Sequence, residues 1–428
     1  MSPRHKKKDL ILFVNSPSKA IASWAQSFKK EHRNLYKFGV LISSRKELSD
    51  SRKEALKGFD VVIKADFDSP TSMTQALKPY EDQLLAVTAR GDMNIPFLQK
   101  TIPHVPYLKT PTVTSLEWAT NKLLMRRRFA TYDKTITPKY SLVKDYSKET
   151  LKKVEEKVGF PLIVKPTGLA SSLLVSICYH KEELEDTLAR VFKKINGLYK
   201  KNGGRGEPQV LVEQFMEGDM YSIDGYVNSR GKVYFCPMVS VKTGKQIGFD
   251  DFFGYQQMTP TALNNSSVED ARYVALQAIH ALGLRSSSAH VELMKTEAGW
   301  KVIELGPRLG GFRDEMYKMS YGIDHAANDI FIRIPKVPII PRKRLGYTAV
   351  LKVFAKKEGS IQKIIGIKKI QELKSFKKIN IHKEVGDRAV FAKHGGESIF
   401  NIYFFNESRS KLLADIRRME QMVKIEVE

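Results

Sequence analysis

Residues 290–311, HVELMKTEAGWKVIELGPRLGG, alternate apolar and polar side chains on both sides of a glycine-containing turn. A period of two around a turn is the signature of a β-hairpin. Val291 and Leu293 alternate with His290, Glu292 and Met294, and Ile303 and Leu305 alternate with Val302, Glu304 and Gly306. A three-residue turn, Glu297-Ala298-Gly299, with glycine at the position that needs positive φ, places Glu292 directly opposite Glu304. Like charges so placed repel. On a solvated face water screens them. A shared cation instead makes the pair attractive, and Mg2+ takes one or two carboxylates together with phosphate oxygens. The segment that follows, ELGPRLGG, adds Arg308 and glycines where anions can approach the backbone.

The first 110 residues narrow the fold. Strand-like LILFVN, FGVLIS, DVVIKA and LLAVTA are separated by helix-like stretches such as 20–30 and 72–80, which predicts a parallel, doubly wound sheet. SLEWATNKLLMRRRFATY, from Ser115, reads as one amphipathic helix on which Arg126, Arg127 and Arg128 cannot share a face, so most of them are expected in solvent. Downstream come YSLVK, a helix over 147–158, FPLIVKP, ASSLLVSICY, a helix over 181–199, and QVLVEQFM leading into an antiparallel hairpin around 228–231. A helix over 268–282 precedes the carboxylate hairpin, and short strands with a last helix over 408–422 complete the chain.

The length of 428 residues predicts two or three domains. No apolar run approaches the roughly 18 residues of a membrane-spanning helix, and LILFV is too short for a signal-peptide core. The two cysteines, Cys178 and Cys236, lie in apolar runs and are expected to be reduced core residues of a cytoplasmic protein. The formal net charge of +24 favours anionic ligands, but lysines are spread along the chain and no nucleic-acid-binding signature accompanies them.

Lys122, the strand ending in Lys165, the loop PTGLASS, the segment VEQFMEGD and the hairpin HVE…IELGPRLGG follow one another in an order that resembles the ATP-grasp superfamily over most of the chain. The resemblance implies a multidomain α/β and α+β protein. Its parts would be a Rossmann-like pre-ATP-grasp domain (1–114), a central part with the lysine strand and phosphate loop (115–212), an ATP-grasp domain with adenine hinge and magnesium hairpin (213–341), and a β-rich C-terminal segment (342–428). It implies ATP with Mg2+, or Mn2+, as cofactors. Lys122 and Lys165 would contact phosphates, and Gly168, Ser171 and Ser172 would form the loop covering them. Glu213 and the backbone of Phe215 and Met216 would read adenine, and Glu292 and Glu304 would hold the metal. Two positions depart from the pattern. Gly306 stands where an Asn ligand is usual, and Met220 where a ribose-binding Glu is usual, which leaves Asp219 as the ribose candidate and water as the replacement ligand.

Within the superfamily the layout is similar to the carboxylate–amine ligases of the amino-acid (dipeptide) and carnosine-synthase-like group. The implied reaction makes an acyl phosphate from a carboxylate and ATP, which an amine then attacks. Arg308, together with Lys165, would act in catalysis by stabilising the reacting carboxylate or oxyanion, and His290 and Arg313 would touch substrate. Residues 241–260, with Phe249, Phe252, Phe253 and Tyr255, are the lid candidate. The expected partners are small carboxylates and amines, with no membrane or nucleic acid, and a homo-oligomer remains open. The alternatives are a catalytically decayed nucleotide-binding protein and a carboxylase or carbamoyl-type enzyme using carboxyphosphate.

Overall fold

Strand β1 (Leu10–Val14) is buried on both faces. Leu10, Leu12 and Val14 pack with Leu77 and Leu98 on one side, and Ile11 and Phe13 with Phe28 and Phe38 on the other. Only a sheet covered on both sides by helices accepts such a strand. A computed structural model, which describes residues 8–169, 173–202, 207–249 and 251–428, shows that sheet. With β2 (Lys37–Ser43), β3 (Val61–Ala65) and β4 (Leu84–Thr88), β1 forms a wholly parallel sheet in the order β3-β2-β1-β4.

Two further sheets carry the residues singled out in the sequence. The smaller consists of β5 (Tyr140–Val143), β6 (Leu162–Pro166), β7 (Ser176–Cys178) and β8 (Val210–Gln214), in the order β5-β8-β6-β7. The larger begins with β9 (Asp219–Val227), which carries β10 (Val233–Phe235) as a side pairing, then β11 (Val239–Thr243) and β12 (Gly254–Thr259). The hairpin strands β13 (Ser287–Thr296) and β14 (Gly299–Gly306) form one edge of it. From the C-terminal stretch, β15 (Tyr347–Val353), β17 (Phe376–Ile381) and β19 (Phe400–Asn406) extend the same sheet, giving β14-β13-β9-β11-β12-β15-β19-β17. Three others, β16 (Gly359–Ile365), β18 (Arg388–Ala389) and β20 (Lys424–Val427), make a small separate sheet. No helix among the described residues is long and apolar enough to cross a membrane, and both cysteines are buried and free.

Three local expectations need correction. The single helix from Ser115 is two, Val113–Thr120 and Lys122–Tyr132. Asn121 separates them with extended backbone, and its side chain accepts from the amides of Leu123 and Leu124 at 3.0 and 3.1 Å. An Asn that caps a new helix competes with continuation of the old one. The hairpin turn holds two residues, because Thr296 pairs with Gly299. Glu292 nevertheless faces Glu304, because a β-bulge beside Ile303 adds one residue to β14. The bulge puts Val302 in the core with Leu305, Val291 and Leu293, where simple alternation would have placed Ile303. The lid candidate is paired strand at its two ends, residues 241–243 of β11 and 254–259 of β12, and two of its four aromatic residues, Phe253 and Tyr255, are buried in the core shared with the C-terminal strands, Phe253 against Phe354.

The Asn121 cap is tested by substitution. Asn121→Ala should lower stability by about 1 kcal/mol in chemical denaturation, while Asn121→Asp, which caps equally well, should not.

Candidate active site

The break at Asn121 starts a helix at Lys122, whose backbone amide donates to the Thr167 carbonyl at 3.3 Å. Its ammonium donates to the Leu169 carbonyl at 2.8 Å and lies 3.3 Å from Glu304 Oε1. The head of the loop after β6 is thus tied to the carboxylate hairpin. Tyr199 Oη accepts from the Gly168 amide at 2.8 Å and steadies the same turn. Ser171 and Ser172 lie outside the described residues.

Beneath the loop is a buried charged cluster. Arg126 and Glu213 form a two-point pair, Nε to Oε1 at 2.7 Å and Nη2 to Oε2 at 3.0 Å, and Lys165 Nζ sits 2.8 Å from Glu213 Oε2. Arg126 also donates to the carbonyls of Val302 and Ile303 at 2.8 and 2.5 Å, on the bulge itself. The expectation that most of this arginine run is solvated fails at Arg126, which is 1% exposed. A buried guanidinium needs partners for its N–H groups, and Glu213 and the two carbonyls accept four hydrogen bonds from it. Both oxygens of Glu213 are engaged here, and the amide of Phe215 donates to Pro161 at 3.0 Å. Phe215 and Met216 are half-buried between the two sheets' strands, and Asp219 is exposed at the start of β9.

Burial is the largest influence on Lys165 and brings its pKa down to about 8, with Glu213 opposing and Arg126 adding repulsion. Burial would raise Glu213, but Arg126 and Lys165 bring it to about 2. The cluster therefore carries two cations and one anion near neutral pH, a net positive spot below the loop.

Glu292 and Glu304 sit on the open face of the hairpin, their side chains 33% and 42% exposed, while the opposite face is core. Their repulsion is offset on both sides, by Lys122 at Glu304 and by His290, whose Nε2 is 3.5 Å from Glu292 Oε1. His290 Nδ1 is 2.7 Å from Asp224 Oδ1. Burial lowers the His290 pKa, but the charge of Asp224 more than reverses this and raises it. Burial raises Glu292, and the hydrogen bond and charge of His290 hold it below the usual range. Asp224, wholly buried on β9, also accepts from the Gly310 amide at 2.7 Å and lies 2.9 Å from His325 Nε2. Burial works against its charge, and the two histidines keep it ionised, well below the ordinary value.

Asp224, His325 and Arg126 escaped the reading of the sequence. For Asp224 a signal existed: a carboxylate in the apolar strand MYSIDGYV is a buried charge that needs partners.

The two arginines differ in their ties. Arg308 reaches Asp92 of the N-terminal unit, with Nε and Nη2 at 2.9 and 2.7 Å from Oδ2. Arg313, 2% exposed, donates to Ser222 Oγ at 2.7 Å and Gln257 Oε1 at 2.6 Å. Gly306 pairs with His290, and a side chain there would meet the Arg308 guanidinium.

Two half-exposed carboxylates facing each other are hard oxygen donors suited to Mg2+. No group of three or more His, Cys, Asp or Glu among the described residues is arranged to hold a metal. A metal here would complete its shell from phosphate and water, as Mg2+ does.

Two sheets closing on a lysine-lined loop and a carboxylate hairpin define the ATP-grasp fold, a class that works with ATP and Mg2+. A family model described as the ATP-grasp domain matches residues 158–315, so the chain carries that domain. Alanine–anticapsin ligase of Bacillus amyloliquefaciens is 31% identical over 185 residues, which are 40% of this chain and 38% of that protein. D-alanine–D-alanine ligase of Lacticaseibacillus casei is 29% identical over 168 residues, 38% of this chain and 42% of that one. The chain thus spans about two-fifths of the length of these relatives. The crystal structure of an L-amino acid ligase from Bacillus licheniformis superposes with a TM-score of 0.74 over 99% of this chain and 100% of that one, at 17% identity, a likeness of fold.

The Lys165 ammonium is charged below about pH 8 and neutral above it. Affinity for Mg-ATP, measured by calorimetry, should therefore fall as pH rises from 7 to 9 in the wild type. In Lys165→Arg it should stay level, because guanidinium does not titrate in that range.

Proposed function

We propose that the protein is an ATP-dependent carboxylate–amine ligase that joins two amino-acid substrates through an amide bond and releases ADP and phosphate. The observation that carries this reading is the Glu292–Glu304 pair, held opposite by a bulge and set 3.3 Å from Lys122. The names of the relatives, an alanine–anticapsin and a D-alanine–D-alanine ligase, support the substrate class.

ATP and a substrate carboxylate are both anions, so their approach needs cations on several sides. Lys122, Lys165 and the backbone at Gly168 would hold the phosphates. The backbone of Phe215 and Met216 would read adenine, over a Glu213 already committed to Lys165 and Arg126, and Asp219 would take the ribose. Bound at Glu292 and Glu304, Mg2+ would neutralise phosphate charge. A carboxylate oxygen of the acid attacks the γ-phosphorus, and the bond to the departing ADP oxygen breaks. The amine nitrogen of the second substrate attacks the acyl carbon. The tetrahedral adduct then expels phosphate as its C–O bond breaks, and the nitrogen loses a proton. Arg308, at the glycine-rich turn after Glu304, would stabilise the oxyanion. His290, oriented by Asp224, holds Glu292 in position, and Arg313 steadies the floor between Ser222 and Gln257.

The test is ADP release from Mg-ATP with pools of amino acids and then single pairs, with mass spectrometry of the products. A product mass equal to acid plus amine minus water is expected, and ATP binding without turnover in every pool would overturn the reading. Glu304→Gln should reduce turnover by at least about a hundredfold, the scale of removing one group that stabilises charge in the transition state. Its thermal unfolding should match that of the wild type, and a near-normal rate would refute the metal assignment.

A further inference from the structure

The large sheet carries the carboxylate pair on a face that continues far beyond it. Directly paired residues of antiparallel strands share a face, as do residues two apart along a strand. Glu292 pairs with Ser222 on β9, and Met220, two residues away, pairs with Val241 on β11. Val241 pairs with Gln257 on β12, and Gln257 with Val350 on β15. Lys352, two residues on, therefore projects from the same floor as Glu292. Helix Arg313–Tyr321 lies over the middle of this floor, where Arg313 binds Ser222 and Gln257.

At the near end of that helix the chain does something costly. Phe312 adopts left-handed backbone, φ 64°, which a bulky L-residue avoids unless its surroundings impose it. The conformation sets its ring 5.4 Å from the Lys352 ammonium and edge-on to Tyr403 at 6.0 Å. Lys352 differs from the other cations of the site. Lys122 and Lys165 have carboxylates within 4 Å, and Arg308 is paired with Asp92. Among the described residues, no carboxylate or carbonyl is in ion-pair or hydrogen-bond contact with the Lys352 ammonium. Burial lowers its pKa, and Glu292 and Glu397 attract it only from a distance. A half-buried ammonium against an aromatic ring, on the floor of a site that handles carboxylates, is a charge waiting for a counterion.

We infer that Lys352 and Phe312 form a subsite for a substrate carboxylate that is not consumed in the reaction, at the end of the floor away from the phosphate lysines. The inference rests on the ligase reading and adds to it the place where an unreacted carboxyl group of one partner is held. That group is either the α-carboxylate of the amine partner or a side-chain carboxylate of the acid partner.

Initial rates of ADP release distinguish these. Wild type, Lys352→Met and Lys352→Arg are compared with a free amino acid and its primary amide as amine partner, L-alanine against L-alaninamide. The second arm compares aspartate with asparagine as acid partner. Wild type should prefer the carboxylate form in one arm. In Lys352→Met, KM for that form should rise about 10- to 100-fold, the size of a lost charged hydrogen bond, with kcat within about threefold. The amide form should be unaffected, and Lys352→Arg should recover part of the preference. Because both forms are measured on the same variant, misfolding cannot imitate the result. A preference that survives Lys352→Met, no preference in either arm, or equal loss of both forms would each overturn the inference. No ADP release by wild type with any pair would instead count against the ligase reading, and against the inference with it.

Discussion

Glu213 has two cations to itself, and much of the site depends on that sharing. Its carboxylate binds Arg126 at two points and Lys165 at one, and Arg126 extends across to the Val302 and Ile303 carbonyls. The small sheet, the helix after Asn121 and the hairpin of the large sheet are joined by one buried set of hydrogen bonds. Such a cluster adds little net stability, since desolvation cancels most of its attraction. Its effect is geometric: removing any member strands a charge, so the two sheets hold one relative placement. Lys165 is kept below the loop, and the irregular stretch of β14 is pinned where a regular ladder would leave its carbonyls without partners.

A second junction fixes the parallel sheet against this pair. Asp329 accepts from Thr88 Oγ1 at the end of β4 at 2.8 Å and from Ser288 Oγ on β13 at 2.6 Å, and it lies 3.1 Å from Arg333 Nη2. Arg90 adds an ion pair at 3.3 Å, and Ile330 and Phe331, on the helix His325–Arg333 that also carries Asp329, fill the apolar face behind β1. With the N-terminal unit held this way, Asp92 can reach Arg308. The guanidinium is thereby oriented by a part of the chain more than two hundred residues away from it in sequence.

Periodicity and order made the elements legible: the four parallel strands, the antiparallel pairing around 228–231 and the facing of Glu292 and Glu304. What they missed was set by tertiary partners. The helix break at Asn121 requires knowing that Lys122 will meet Thr167 and Leu169. The place of Arg126 depends on Glu213, 87 residues on. The turn length and the bulge compensate for each other, so the right pairing was reached through the wrong turn. Asp224 announced itself as a charge in an apolar strand, but its histidine partners lie 66 and 101 residues downstream. Lys352 gave no local sign, because what distinguishes it is that its ammonium meets an aromatic ring and, among the described residues, no carboxylate.

The bulge beside Ile303 divides the hairpin into two stretches with different phase. On the turn side the paired residue numbers sum to one value, and on the site side to the next. The irregularity works as a dislocation works in a crystal, confining a mismatch to one line and leaving the lattice on either side intact. The tip of the hairpin and the end that bears the two carboxylates are thus decoupled in register. A lineage of such proteins can lengthen or shorten the tip, with the dislocation forming or healing in response, while the two carboxylates stay face to face.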